Sequence, residues 1–75
     1  MKKETAIKRI KNAINREPLI KSEKDKEKFF NLIYEDFLLF ESEGEYTSTD
    51  NLNFAIAIWL NDGESVIKSV LEEKE

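Results

Sequence analysis

The sequence is organised around one aromatic stretch, Phe29–Phe40, which contains four of the five phenylalanines. At 100° per residue of an α-helix, its residues at positions 30, 33, 37 and 40 fall on one face, with Phe29 at the margin of that face. Leu32 and Leu39 form a second apolar seam. A helix that is apolar nearly all round is central in its fold or offers a face to another chain. The stretch therefore predicts a helix against which the rest of the chain packs.

The size and composition of the chain exclude several kinds of chemistry. Seventy-five residues predict a single domain, residues 1–75, near the lower size at which a hydrophobic core suffices without disulfides or metals. No cysteine or histidine is present, so thiolate chemistry and the commonest general base and metal ligand are missing. Two oxygen-rich segments, residues 50–53 and 61–64, lack the ligand spacing of a calcium loop. The sequence therefore predicts a protein that is not an enzyme and binds no metal or cofactor.

Hydrophobic periodicity and capping residues predict four helices, at residues 4–16, 23–41, 49–61 and 64–73. Pro18 ends the first helix, and Leu19 and Ile20 are expected to fold back as an apolar anchor. Ser22 is suited to cap the second helix and Gly44 to end it. The predicted fold is all-α, a compact bundle of three to four helices. Its predicted core consists of Ile7, Ile10, Ile14, Phe30, Ile33, Phe37, Phe40, Ile56, Trp59, Val66 and Val70.

The apolar segment Phe54–Leu60 leaves one alternative fold open. In a strand, its alternate residues would share one face, and the following Asn-Asp-Gly-Glu, residues 61–64, would suit a hairpin turn. The alternative is an α+β fold with a C-terminal hairpin at residues 54–71, although two alanines and the preceding N-cap residues favour the helix. This segment is also the longest apolar run, and its seven residues are too few to span a bilayer. A cytoplasmic protein without membrane association is therefore expected.

Charge is distributed unevenly along the chain, whose net charge is −4. Residues 1–28 carry a net charge of +5 and residues 29–75 a net charge of −9. Acidic side chains steer a basic partner, and an exposed aromatic ring among them provides contact area. The sequence thus predicts a protein-binding module, an inhibitor or regulator of a host or phage protein that acts through an acidic face. The predicted partner-binding residues are Glu35, Asp36, Glu41, Glu43, Glu45, Tyr46 and Asp50.

The composition also resembles that of a class of small accessory proteins. The small size, the acidic half, the lack of cysteine and histidine, and the high content of Lys, Glu, Asn and Ile are similar to those of immunity proteins, antitoxins and anti-CRISPR proteins of bacteria, phages and plasmids. The resemblance implies inhibition of another protein by direct binding. It is one of composition, carried by no motif, and it assigns no site residue.

The first predicted helix supports an alternative function. Its isoleucines fall on one face, and cationic residues lie on the opposite face, a pattern found in solvated helices and in helices that contact phosphates. The alternative is therefore a small nucleic-acid-binding regulator that uses this basic helix. The predicted nucleic-acid contacts are Lys8, Arg9, Lys11 and Arg16.

Self-association is also predicted from the amount of apolar surface. Two helices that are apolar nearly all round, with only two further helices to cover them, leave more apolar surface than a chain of this size comfortably buries. We therefore predict a homodimer. Its predicted contact residues lie on the aromatic helix and are Leu32, Leu38 and Leu39.

Overall fold

The computed structural model describes residues 1–72, which form four helices and no strand. Helix α1 spans Lys3–Asn15, α2 spans Glu23–Glu43, α3 spans Ser48–Ile56 and α4 spans Glu64–Glu72. A π-helical turn, Ala57–Asn61, continues α3 directly. The prediction of an all-α bundle is confirmed, and the alternative with a hairpin at residues 54–71 is wrong. The predicted last residue of the fourth helix, residue 73, lies outside the described residues.

Capping interactions set the boundaries of the helices. The Ser22 hydroxyl accepts a hydrogen bond from the backbone N–H of Asp25 at 3.1 Å, and the Thr47 hydroxyl accepts one from the N–H of Asp50 at 3.2 Å. Each bond satisfies an N–H group that has no partner inside its helix. Gly44 ends α2 with a φ of 69°, a left-handed conformation that a residue without Cβ adopts at no steric cost. The chain therefore turns sharply between α2 and α3.

The core is built on one face of α2, which packs against both α1 and α3. Phe29, Ile33 and Phe37 lie at intervals of four residues on this face and are all buried. The anchor predicted after Pro18 is confirmed at Ile20, which is also buried. Every helix contributes to the same cluster. The other buried apolar residues are Ala6, Ile10, Ile14, Leu52, Ala55, Leu60, Ile67 and Val70.

The buried face of α2 begins at Phe29, not at Phe30 as predicted, and it ends at Phe37, not at Phe40. Phe29, expected at the margin, is fully buried, whereas Phe30 and Phe40 are only half-buried. The Phe30 ring stacks on the ring of Tyr34 with 5.6 Å between centroids, and the Lys11 ammonium lies 5.8 Å from its centroid. These contacts hold the Phe30 ring between the core and solvent. The prediction that Phe30 is a central core residue is therefore wrong.

The π-helical turn moves the buried position after α3 by one residue. In a regular α-helix, Trp59 would share a face with the buried residues Leu52 and Ala55. A π turn contains an additional residue, so Leu60, five residues after Ala55, takes the buried position. Trp59 is half-buried, and its indole N–H donates a hydrogen bond to Asp36 Oδ2 at 2.7 Å. Trp59 was predicted to be buried, and so were three further residues that are half-buried: Ile7, Ile56 and Val66.

The corrected buried face predicts different costs for two neighbouring substitutions. We expect Phe29→Ala to lower the free energy of unfolding by about 3–5 kcal/mol, because it leaves a cavity in the core. Phe30→Ala removes the same atoms from a partly exposed position, where less apolar surface is buried, and a smaller loss is expected. Urea unfolding followed by circular dichroism measures both.

A small domain has a total stability of only about 5 kcal/mol, so the Phe29→Ala variant is paired with the milder Phe29→Leu. If Phe29→Ala is unfolded in buffer, Phe29→Leu still reports the sign of the effect. Equal losses for the two alanine variants would contradict the burial of Phe29 in place of Phe30.

Candidate functional site

A groove of about 450 Å³ lies where the end of α2, the α2–α3 loop, α3 and the π turn meet. We call it the corner groove. Three exposed carboxylates line it, and among the described residues no lysine or arginine does. These carboxylates belong to Glu43, Glu45 and Asp62. The apolar part of the lining consists of Phe40, Tyr46, Phe54, Ala57 and Ile58.

The apolar side chains of the corner groove are exposed to an unusual degree. Tyr46 is 57% exposed, Phe54 44% and Ile58 38%, and these are three of the six large hydrophobic residues that are exposed in the described part of the chain. The Tyr46 and Phe54 rings meet edge to face, with centroids 5.3 Å apart and an interplanar angle of 79°. That contact holds both rings in position. Exposed apolar side chains that cluster in this way are typical of an interaction surface.

The Glu41 carboxylate holds the corner together by joining the end of α2 to the start of α3. Its Oε1 accepts a hydrogen bond from the Ser48 hydroxyl, and its Oε2 accepts one from Asn51 Nδ2 at 2.7 Å. Asn51 is buried, and the same Nδ2 also donates to the backbone oxygen of Tyr46 at 3.4 Å. The hydrogen bond from Ser48, followed by that from Asn51, holds the pKa of Glu41 below its ordinary value, because both favour the ionised form.

The corner groove gathers only part of the predicted partner-binding face. Glu43, Glu45 and Tyr46 line it. Phe54 and Ile58 line it as well, and the sequence analysis assigned them no binding role. The spacing of Phe54 and Ile58 is the signal for this position. Two apolar residues four apart lie on one side of a helix, and burial of Leu52 and Ala55 turns that side outward.

The other predicted acidic residues lie elsewhere. Asp36 accepts the hydrogen bond from the Trp59 indole, and Glu41 accepts those from Ser48 and Asn51, so both carboxylates are engaged within the fold. Glu35 and Asp50 are exposed and do not line the corner groove. The acidic residues that lie close together in the sequence are therefore of more than one kind. Some line the corner groove, and others form hydrogen bonds that support the fold.

The three leucines predicted as a dimer contact do not form a single ridge. Leu38 and Leu39 are 48% and 55% exposed, and Leu32 is half-buried. Leu32 and Leu39 are seven residues apart and share a face of α2, whereas Leu38 lies about 100° from Leu39. Leu39 precedes Glu43 by one turn and so lies on the side of α2 that faces the corner groove. Self-association stays a prediction.

A second, polar groove of about 450 Å³ lies beside α1, and two of the four predicted nucleic-acid contacts line it. Arg9 and Arg16 line this groove together with the amide side chains of Asn12, Asn53 and Asn61. Arg9 Nη2 donates a hydrogen bond to Asn53 Oδ1 at 3.1 Å, so one of the two arginines is oriented by α3. All four predicted nucleic-acid contacts are exposed: Lys8, Arg9, Lys11 and Arg16.

A larger cleft, of about 910 Å³, lies between α1 and the start of α2. Its charged lining residues alternate in sign, with Lys11 and Lys26 facing Glu23 and Glu27. Opposite charges in one cleft cancel at a distance and select no sign of partner. The corner groove, with carboxylates alone, is therefore the surface with the clearest electrostatic preference.

Replacing Glu41 is expected to reduce the dependence of stability on pH. Because its pKa is lower in the folded protein than its ordinary value, the carboxylate stabilises the fold above the ordinary value and loses this contribution as the pH falls through the folded value. We expect Glu41→Gln to be less stable than the parent near neutral pH and to lose less stability on acidification.

Urea midpoints at about pH 7 and about pH 3 measure both effects. Glu35→Gln, which changes an exposed carboxylate on the same helix, is the matched control. A parent and a Glu41→Gln variant that lose equal stability on acidification would contradict the role given to the Glu41 hydrogen bonds.

No three carboxylates within residues 1–72 come close enough to hold a metal ion. None of the helices in that range has both the length and the apolar composition needed to cross a membrane. No protein family matches this chain, and neither a curated protein nor a solved structure is similar to it. The function is therefore inferred from the shape, exposure and charge of the surface.

Proposed function

We propose that this protein is a non-enzymatic protein-binding module that inhibits or regulates its partner, and that the partner docks on the corner groove. One observation carries the proposal. Exposed apolar side chains and exposed carboxylates share a single groove, and no lysine or arginine of the described residues lines it. Apolar contact supplies most of the binding free energy at such a surface, and charge supplies steering and orientation. A small protein that covers a basic surface blocks the access of that surface to its own ligands, which accounts for an inhibitory role.

The size of the docking surface follows from ordinary interface dimensions. A stable interface buries about 800 Å² on each partner, which is roughly a seventh of the 5305 Å² surface of this chain. The corner groove alone does not provide that area, so the partner also contacts neighbouring residues. Leu39, one turn before the groove residue Glu43, is 55% exposed and is the first candidate for this extension.

The two kinds of groove residue are expected to act on different steps of binding. Complete burial of a large apolar side chain contributes about 1.5–3 kcal/mol, and Phe54 and Tyr46 each have about half of their surface still to bury. Their truncation should therefore raise the dissociation rate. Glu43 and Glu45 are exposed, and their reversal should mainly lower the association rate and its dependence on salt.

Partner capture from a lysate of the source organism tests the proposal. The full chain serves as bait, in parallel with Phe54→Ser and with the double variant Glu43→Lys/Glu45→Lys. We expect at least one captured protein to be depleted about tenfold or more by each groove variant, which corresponds to about 1.4 kcal/mol. Quantitative mass spectrometry measures the depletion, and circular dichroism establishes that the variants are folded.

Two matched variants serve as controls for this experiment. Leu38→Ser changes a side chain as exposed as Phe54 on another side of α2, and Glu35→Lys reverses an exposed charge outside the groove. Both should retain the partner. Capture that is unchanged by the groove variants, or reduced equally by the controls, would refute docking on the corner groove.

A second function, nucleic-acid binding, is favoured by the polar groove beside α1. Arg9 and Arg16 are seven residues apart on one side of α1, a spacing of about 10 Å, and amide side chains lie with them in the groove. Arginine and asparagine contact phosphates and base edges. The net charge of −4 opposes this function, because it repels a polyanion outside the groove.

Gel-shift binding to duplex and single-stranded DNA and RNA at low salt tests this second function. If it is correct, affinity falls steeply with salt, with a slope of about −0.9 per neutralised phosphate on duplex DNA, and Arg9→Ala/Arg16→Ala removes about two such contacts. No shift at micromolar protein would eliminate it.

A further inference from the structure

We propose that the occupant of the corner groove is an amphipathic α-helix of the partner protein, with bulky apolar residues along one face and lysine or arginine beside them. This inference rests on the proposed function and specifies the class of partner. It follows from the hydrogen-bonding state of the groove, from its apolar lining and from its charge.

The backbone around the groove favours a helical occupant over an extended one. Most lining residues belong to α2, α3 and the π turn, where backbone groups outside the terminal turns pair within the helix, and residues 1–72 contain no strand to which a peptide could add. An extended peptide would therefore place its own C=O groups, which need donors, against a lining of apolar side chains and carboxylates. A helix satisfies these groups internally before it binds.

The amide side chain in the lining, Asn51, already hydrogen-bonds within the fold. Asn51 Nδ2 donates to Glu41 and to the backbone oxygen of Tyr46. A proline-rich segment, whose carbonyls need donors from the groove, finds none at this position. Apolar side chains are the groups that this lining accommodates best.

The apolar lining is formed before the partner arrives. The edge-to-face contact holds the Tyr46 and Phe54 rings, and the Glu41 hydrogen bonds hold the loop that carries Tyr46. Little ordering is therefore needed on binding, which favours recognition by a few anchoring side chains. On a helix these anchors lie three, four and seven residues apart.

The charge of the groove specifies the residues beside the anchors. Glu43, Glu45 and Asp62 are exposed along the lining, so a helix with lysine or arginine flanking its apolar face complements them. A second copy of this chain cannot present such a helix while folded. Its basic amphipathic helix is α1, and the apolar face of α1, with Ile10 and Ile14, is buried in its own core.

The test uses the full chain and synthetic peptides of about fourteen residues labelled for fluorescence anisotropy. The probe is a leucine–lysine peptide with leucines at helical spacing. Its comparison peptides are one of the same composition with leucine and lysine alternating, one with glutamate in place of lysine, and a proline-rich peptide with the same number of lysines. We expect the probe to bind, and each comparison peptide to bind at least about tenfold more weakly.

Variants locate the binding site of the probe. Phe54→Ser and Glu43→Lys/Glu45→Lys should each weaken the probe by about tenfold or more, and Leu38→Ser and Glu35→Lys should leave its affinity within about twofold. Ile58→Ser replaces Phe54→Ser if that variant is unfolded by circular dichroism. Equal binding of the alternating or proline-rich peptide, or equal effects of groove and control variants, would overturn the inference.

Two further measurements separate this inference from the proposed function. Light scattering over a tenfold dilution tests for a second copy in the groove, and a dimer that Phe54→Ser dissociates would overturn the inference. The probe is then added as a competitor to the lysate capture. If the captured protein depends on Phe54 and Glu43 but is not displaced by the probe, the helical partner is refuted and the proposed function is not. Capture that is independent of these residues would refute the proposed function.

Discussion

Burial of one face of α2 is the constraint on which the rest of the structure depends. Phe29, Ile33 and Phe37 supply the largest share of the core from a single element, and α2 is the helix that contacts both α1 and α3. At 21 residues, α2 is the longest helix in the described part of the chain. Once this face is fixed inward, Leu38 and Leu39 have no neighbour to cover them, and α2 extends past the core to Glu43. The exposed surface is thus a consequence of how the core is filled.

The Glu41 carboxylate has the corresponding role at the corner. A carboxylate only accepts hydrogen bonds, so it fixes the direction of the Ser48 hydroxyl and turns the amide N–H groups of Asn51 towards itself. The Asn51 Oδ1 atom is then buried without a hydrogen-bond partner in the described part of the chain. Leaving it unpaired has a cost, and the charge-assisted hydrogen bond that Asn51 donates to Glu41 offsets it. The position of Tyr46 in the groove therefore depends on an ionised group that is itself outside the groove.

Local signals were sufficient to predict the helices, and tertiary contacts decided what local signals could not. Ser22 and Gly44 act within one turn of the chain, so their roles follow from residue type. The choice between Phe29 and Phe30 depends on contacts with Tyr34 and Lys11, and periodicity in a helix with apolar residues on every side fits either choice. The same limit applies to the acidic residues. Glu43 and Glu45, which the density of acidic residues singled out, line the corner groove, but the hydrogen-bond partners of Asp36 and Glu41 lie seven to 23 residues away and were not identifiable.

The π turn contributes residues to both the core and the corner groove, and these residues are different. Leu60 enters the core because the turn contains an additional residue, and Ile58, two residues earlier, is thereby turned to the groove. Phe54, one turn before Ile58, lies on the same side, so the exposed apolar residues of this segment contribute little to the core they flank. A polar residue at position 54 or 58 consequently removes contact area from the surface while the buried Leu52, Ala55 and Leu60 stay in place. The corner groove and the core are therefore lined by different faces of one continuous helix.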